Sequence, residues 1–137
     1  MALFHQGDAM ALPFETDRFD AAVMALVIFF VPDPPKGVAE KVRVVRPGGL
    51  IAAYAWDVLG GGAPPEPIWA EMRTMGLTPP LPPNVQASRI DEMRDLWRDA
   101  DLERIETRRI TVQRGFASFD EFWEISMAMG TMRAEFG

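Results

Sequence analysis

An unbroken apolar run of 11 residues, Ala21 to Val31 (AAVMALVIFFV), is the feature that most limits what this chain can become. A half-buried strand alternates apolar and polar residues. A run that is apolar at every position instead suits a strand covered on both faces, as in a parallel sheet. A buried helix is the competing reading, but Pro32-Asp33-Pro34-Pro35 stops the run early. Asp33 is a natural N-cap, and Pro34 is an allowed first-turn residue for the element that follows. Val38, Val42 and Val45 recur there at helical spacing beside Glu40, Lys41 and Arg43. Arg46-Pro47-Gly48-Gly49 then combines a cationic last turn with Pro and Gly stop signals. Leu50 to Trp56 (LIAAYAW) reads as a second buried strand. Strand, helix, strand is a βαβ unit, expected to cross over right-handed, and the fold class is α/β.

The chain past Asp57 is looser. Gly60-Gly61-Gly62 and the seven prolines from Pro64 to Pro83 flank a short helix with Ile68, Met72 and Met75 on one side and Gly76 at its end. Ser88-Arg89-Ile90-Asp91 has the form of a capping box. The helix it would open places Ile90, Met93, Leu96, Trp97 and Ala100 on one face. Glu103 to Gln113 reads as a third strand, with a bulge near Arg108-Arg109 where the apolar parity shifts. Ser118-Phe119-Asp120-Glu121 opens a last helix carrying Phe119, Phe122, Trp123 and Met129. Three regions follow: 1–57, a βαβ core; 58–102, loop-rich and helical; and 103–137, a late strand plus helix.

Absences narrow the function. The 137 residues contain no Cys, which excludes disulfides, thiolate metal sites and a cysteine nucleophile, and one His, which excludes a histidine-rich metal centre. A net charge of −6 without a Lys/Arg block argues against nucleic acid as a partner. No apolar run approaches the roughly 18–20 residues of a membrane span, and no basic region precedes an apolar stretch at the N-terminus. The expectation is a soluble, cytoplasmic domain that binds no metal.

Three places can carry chemistry. Asp8, in Gly7-Asp8-Ala9, sits where the carboxyl end of a strand would meet ligand in an open α/β sheet; a turn-forming Asp is the alternative. Ala25 to Phe30, at the exit of the first strand, offers no acid, base or nucleophile, and either contacts an apolar ligand surface or fills the core. Trp56-Asp57, at the exit of the second strand, can supply an acid/base or orienting group, or cap a turn. The triple glycine lacks the GxGxxG spacing of a phosphate cradle, which disfavours a dinucleotide-using oxidoreductase. His5 has no evident Ser or Asp partner and reads as a surface or sheet residue. The aromatic and methionine stripes of the later helices read as core or lid packing.

Gly7–Phe14 (GDAMALPF), Phe19–Pro34 (FDAAVMALVIFFVPDP) and Val38–Asp57 (VAEKVRVVRPGGLIAAYAWD) together resemble the second half of a class I S-adenosylmethionine-dependent methyltransferase. The nearest branch is the type 11, ubiquinone/menaquinone-biosynthesis-like group. The resemblance is clear over residues 4–57 and weaker through Val112. It implies a partial Rossmann-like sheet from the third strand onward, mostly parallel, with helices on both faces. It also implies that Asp8 hydrogen-bonds the adenine amino group of S-adenosylmethionine, with Ala9 and Met10 enclosing the ring. Ala25 and Leu26 would lie beside the methionine part, and Trp56 and Asp57 would face a small-molecule methyl acceptor. No dedicated catalytic nucleophile is expected, because the sulfonium methyl is already electrophilic and positioning does most of the work.

The family's first strand, glycine-rich loop and ribose-binding acid have no counterpart in these residues. The expectation is therefore a half-domain whose first strand has an open edge, covered by self-association into a homo-oligomer. Two functions remain: methyl transfer to a small molecule, or a non-catalytic truncated remnant or half-domain that self-associates or needs a partner chain.

Overall fold

In the computed structural model, which describes residues 1–128, strands β1 (Phe19–Ala25) and β2 (Val45–Tyr54) pair in parallel and are joined by helix α1 (Pro34–Val44). The later elements are α2 (Glu66–Thr74), α3 (Ile90–Asp99) and α4 (Phe119–Ala128), with short 3-10 turns at Ile28–Phe30 and Val85–Ser88. Met129 lies outside the described residues. The expected α/β class with parallel pairing is present.

Helix α1 begins as its sequence dictates. The Asp33 carboxylate accepts the Lys36 backbone N–H at 3.1 Å, and Pro34 occupies the first turn, where its missing N–H costs nothing. Val38 and Val44 are buried, and Val42 packs at the edge of the core. The helix stops at Val44, and β2 begins at the next residue. Arg46-Pro47-Gly48-Gly49 is therefore a bulge within the strand pairing and lies beyond the last helical turn. Phe19 pairs with Val45, but Ala21 already pairs with Leu50. The bulge is fastened from outside by an ion pair from Arg46 Nε to Asp20 Oδ1 at 2.6 Å. A Cβ on Gly49 would strike the Val45 side chain, and would lie 2.6 Å from the Asp20 carbonyl oxygen and 2.9 Å from that of Arg46. Only glycine lets the strands come together there.

The covering of β1 differs from the reading of its apolar run. The strand proper ends at Ala25, and the rest of the run enters the 3-10 turn, where Ile28, Phe29 and Val31 are buried. One core cluster joins Met24, Ile28, Phe29, Val38 and Ala87, with Ala53, Met93, Leu96 and Trp97 packed at its margin. Helices α1 and α3 thus cover the same face of the sheet. The Trp97 indole N–H donates to the Ile51 carbonyl at 3.2 Å, which fastens α3 to β2. On the opposite face Val23, Leu50 and Tyr54 are 57%, 63% and 55% exposed, so among the described residues that face carries no helix. The run is apolar throughout because part of it feeds a buried turn and part lines this open face.

Three further expectations meet the structure. Ile90, Met93, Leu96, Trp97 and Ala100 do form the half-buried face of α3. The capping box does not form: the buried Ser88 hydroxyl donates to the Val85 carbonyl within its own 3-10 turn, and Arg89 is the N-cap residue, with no side-chain cap. The third strand is also absent. Residues 103–113 form no strand, and Ile110 and Val112 are exposed. No described strand lies alongside to accept their hydrogen bonds, and β-propensity alone does not make a strand. The Arg108-Arg109 bulge falls with it.

Gly49→Ala is expected to destabilise the chain by about 1–3 kcal/mol through steric conflict at the bulge. The exposed control Glu71→Ala should stay within about 0.5 kcal/mol. Urea denaturation followed by circular dichroism checks both.

Candidate functional site at the carboxyl edge of the sheet

Parallel pairing sends both strands out at one edge. Ala25 is in register with Tyr54, and the Leu26 N–H donates to the Tyr54 carbonyl at 2.9 Å. Ala25 and Leu26 therefore stand beside the exit that leads, two residues on, to Trp56 and Asp57. Leu26 adopts φ +57, the left-handed region that a leucine enters only against steric resistance. Such strain persists where the surroundings fix it, and it concentrates at ligand sites. Here the ladder bond to Tyr54 and the packing of the Leu26 side chain at the margin of the core hold it.

Asp57 organises the loop beyond β2. Its Oδ1 accepts the Gly60 N–H at 3.2 Å, and its carbonyl accepts the Gly62 N–H at 2.8 Å. A Cβ on Gly60 would collide with the Asp57 carboxylate, so the triple glycine is there to let the loop fold over that side chain. Oδ2 faces Arg109 Nη2 at 3.7 Å. Trp56 is partly buried against a second cluster of Val58, Ala63, Ile68, Trp69 and Met72. Asp57 thus does the turn-capping work that its sequence position left open.

Asp8 lies in an exposed turn: Oδ1 accepts the Met10 N–H at 2.8 Å, and its carbonyl accepts the Ala11 N–H at 3.0 Å. Ala9 and Met10 are half-buried. No hydrogen bond or ion pair among the described residues joins this turn to Ala25–Leu26 or to Trp56–Asp57. His5 is exposed and meets the Phe14 ring edge-on, with ring centroids 5.5 Å apart.

A polar clamp on α1 fixes the segment that follows Asp8. Arg43 pairs with Glu40 through two bonds, Nε to Oε1 at 2.7 Å and Nη2 to Oε2 at 2.9 Å. Its Nη1 and Nη2 also donate to the carbonyls of Phe14 (2.8 Å) and Leu12 (3.1 Å), while Glu40 Oε2 accepts the Leu12 N–H at 2.8 Å. The bond from Arg43, then that from Leu12, holds the Glu40 carboxyl down to about 2, from an ordinary 4.5. Sequence reading passed over this pair. The i,i+3 spacing of Glu40 and Arg43 is visible in the sequence, but the carbonyls it serves lie about 30 residues upstream. The left-handed Leu26 was likewise invisible, because leucine is the wrong residue to announce it.

Two shallow cavities lie elsewhere. One of about 340 Å³ is lined by Asp17, Arg43, Arg46, Gly48 and Ile51 among others, and one of about 220 Å³ by Pro34, Asn84, Glu92 and neighbours. Neither is lined by Asp8, Ala25, Leu26, Trp56 or Asp57. Among the described residues no helix is long and apolar enough to cross a membrane.

Comparison with known proteins falls on the same part of the chain. Residues 2–53 match the model of a methyltransferase domain family. A demethylmenaquinone methyltransferase of Desulfitobacterium hafniense is 48% identical over 48 residues, 35% of this chain and 19% of that protein. Another, of Paenarthrobacter aurescens, is 35% identical over 81 residues, 58% of this chain and 29% of that protein. A chloroplastic 2-methyl-6-phytyl-1,4-hydroquinone methyltransferase of Oryza sativa subsp. japonica is 51% identical over 45 residues, 33% of this chain and 13% of that protein. The chain spans about a fifth of the length of the first relatives it matches. No solved structure matches it. Over its βαβ unit the chain thus resembles the class I S-adenosylmethionine-dependent methyltransferases.

The clamp gives a pH dependence of definite sign. The Glu40 carboxyl is depressed in the folded chain, so its contribution is complete above about pH 4.5 and is lost as pH falls through about 2. Followed by NMR, the Leu12 amide resonance should titrate with a midpoint near the lower value. Glu40→Gln should abolish that titration; an ordinary midpoint near 4.5 would show that the clamp does not form.

Proposed function

We propose that this chain carries part of a methyltransferase site and takes part in methyl transfer from S-adenosylmethionine to a small molecule. The observation that carries the reading is the left-handed Leu26 at the carboxyl end of β1, within the stretch that matches a methyltransferase domain. Strained backbone clusters at ligand sites, and the carboxyl ends of parallel strands are where a binding crevice lies in open α/β sheets.

The residues present fit the cofactor in these terms. Asp8 spends one carboxylate oxygen on its own turn, and no hydrogen bond from the described residues reaches the other, which can accept an exocyclic amine. Ala9 and Met10 offer half-buried apolar surface beside it. Ala25 and Leu26 offer an apolar strand end for the methionine part. Trp56 and Asp57 lie on the acceptor side, with Asp57 orienting the loop. The cofactor, when bound, supplies an electrophilic methyl group. The chain's own residues hold and align, and no general base is required for a good nucleophile. The names of the relatives direct an acceptor screen first to demethylmenaquinone and 2-methyl-6-phytyl-1,4-hydroquinone.

Calorimetric titration of the chain with S-adenosylmethionine and S-adenosylhomocysteine tests the reading. Binding should weaken about tenfold or more in Asp8→Ala, the scale of one charge-assisted hydrogen bond. Asp8→Asn, which keeps the turn acceptor, should fold like the parent and still bind weakly. No heat at millimolar ligand would overturn it.

A second reading rests on the open face and edges of the sheet. With Val23, Leu50 and Tyr54 exposed on a sheet of two strands, copies of the chain would cover one another and form a homo-oligomer. This is the self-associating half-domain, with or without catalysis. Sedimentation equilibrium should show a concentration-dependent mass, reduced to that of the monomer by Leu50→Lys. A concentration-independent monomer in the parent chain removes this reading.

A further inference from the structure

Residues 107–119 (TRRITVQRGFASF) hold three of the chain's 14 basic residues and none of its 20 acidic ones, in a chain of net charge −6. Residues 103–118 form no helix or strand, and every residue from 106 to 118 is exposed. Ile110 and Val112 stand 74% and 66% open, so neither ties the segment to a core. Backbone of this kind is what an enzyme acting on a protein chain can take up, because no ladder or helical bonds have to break first.

The structure sorts the chain's hydroxyls. Of the eight Ser and Thr in residues 1–128, Ser88 and Ser126 are buried. Thr74 Oγ1 donates to the Glu71 carbonyl at 2.7 Å, Thr107 Oγ1 accepts from Arg94 Nη2 at 3.1 Å, and Ser118 Oγ accepts the Glu121 N–H at 3.2 Å. Thr16, Thr78 and Thr111 are exposed, and no hydrogen bond from the described residues reaches their hydroxyls. Thr16 and Thr78 have no Lys or Arg among the four residues before them. Thr111 has Arg108 and Arg109 three and two residues before it and the exposed Val112 directly after it. Arg109 meets Asp57 Oδ2 only at 3.7 Å, with its own side chain 71% exposed, a surface contact that a better-placed carboxylate can displace.

We propose that Thr111 is a phosphorylation site for an arginine-directed protein kinase, one whose peptide groove is lined with carboxylates. Arg108 and Arg109 would pair with those carboxylates, and Val112 would occupy the apolar position that follows the acceptor. The Thr111 oxygen bonds to the γ-phosphorus of ATP as that phosphorus parts from ADP, and the hydroxyl proton passes to the kinase's aspartate. The phosphate brings roughly two negative charges into a stretch that otherwise holds three positive ones and no negative one. This site is independent of the methyltransferase reading.

The test incubates the whole folded chain with the catalytic subunit of cyclic-AMP-dependent protein kinase, ATP and magnesium, and locates the phosphate by mass spectrometry of peptides. One phosphoryl group per chain is expected, on Thr111. Thr111→Ser should keep it and Thr111→Ala should lose it. Arg108→Ala and Arg109→Ala should each lower kcat/KM for the kinase about tenfold or more, the scale of a lost charge-assisted pair. All four changes fall on exposed side chains, and circular dichroism should match that of the parent. Phosphate on Thr107 or Ser118 instead, modification only of chain unfolded in urea, or arginine variants that react as fast as the parent would each overturn the site. So would a folded parent chain that takes up no phosphate.

Discussion

Two parallel strands cannot be neighbours without a long crossover, and everything else here is arranged around that requirement. Helix α1 makes the crossover and, in the same stroke, covers the sheet through Val38 and Val42. Parallel pairing then brings the exits of β1 and β2 to one edge, so Leu26 and Trp56–Asp57 become neighbours by topology although about thirty residues of sequence lie between them. At the opposite end the same pairing sets four residues, Arg46 to Gly49, against Asp20 alone before the register resumes at Leu50. The Gly49 close approach and the Arg46–Asp20 pair are the local means of doing so.

The N-terminal segment depends on α1 for a different reason. It has no strand partner among the described residues beyond the Asp8–Ala11 bridge of its own turn. Its backbone groups at Leu12 and Phe14 are met instead by Glu40 and Arg43. An arginine fork suits this task, because its planar donors can reach a carboxylate and two carbonyls at once where a lysine could not. The pair is partly open to water, so its value lies more in fixing where the segment runs than in raw stability. The turn at Asp8 is placed by that fixing, four residues upstream.

What could be read from the sequence follows from the range of the interactions involved. The N-cap at Asp33, the spacing of Val38 and Val42 and the half-buried face of α3 are local patterns, and local patterns survive without coordinates. The two parallel strands followed from apolar runs separated by one helix. The extent of the first run misled, because apolar residues suit a strand interior, a buried 3-10 turn and an uncovered sheet face equally well. Residues 103–113 have strand-like composition but no described neighbour to pair with, and Ser88 spends its hydroxyl one turn too early to cap α3. At the candidate site, Asp8 and Asp57 were legible as polar residues at strand ends or turns. Leu26 was named through the family resemblance, but its left-handed backbone was not legible, since a backbone angle has no sequence signature.

Asp8 and Asp57 both spend carboxylate oxygens on holding their own backbone, which would weaken a site that needed a strong base. It does not weaken one whose chemistry is alignment. A carboxylate that fixes a turn is itself fixed, and its remaining oxygen is then presented without the entropy cost of ordering a free side chain. The strain at Leu26 fits the same scheme, because a backbone locked into the left-handed region by the Tyr54 ladder bond cannot relax when a ligand arrives. On the methyltransferase reading proposed above, the pre-ordered turns and the strained strand exit would position molecules and leave their reactivity to them.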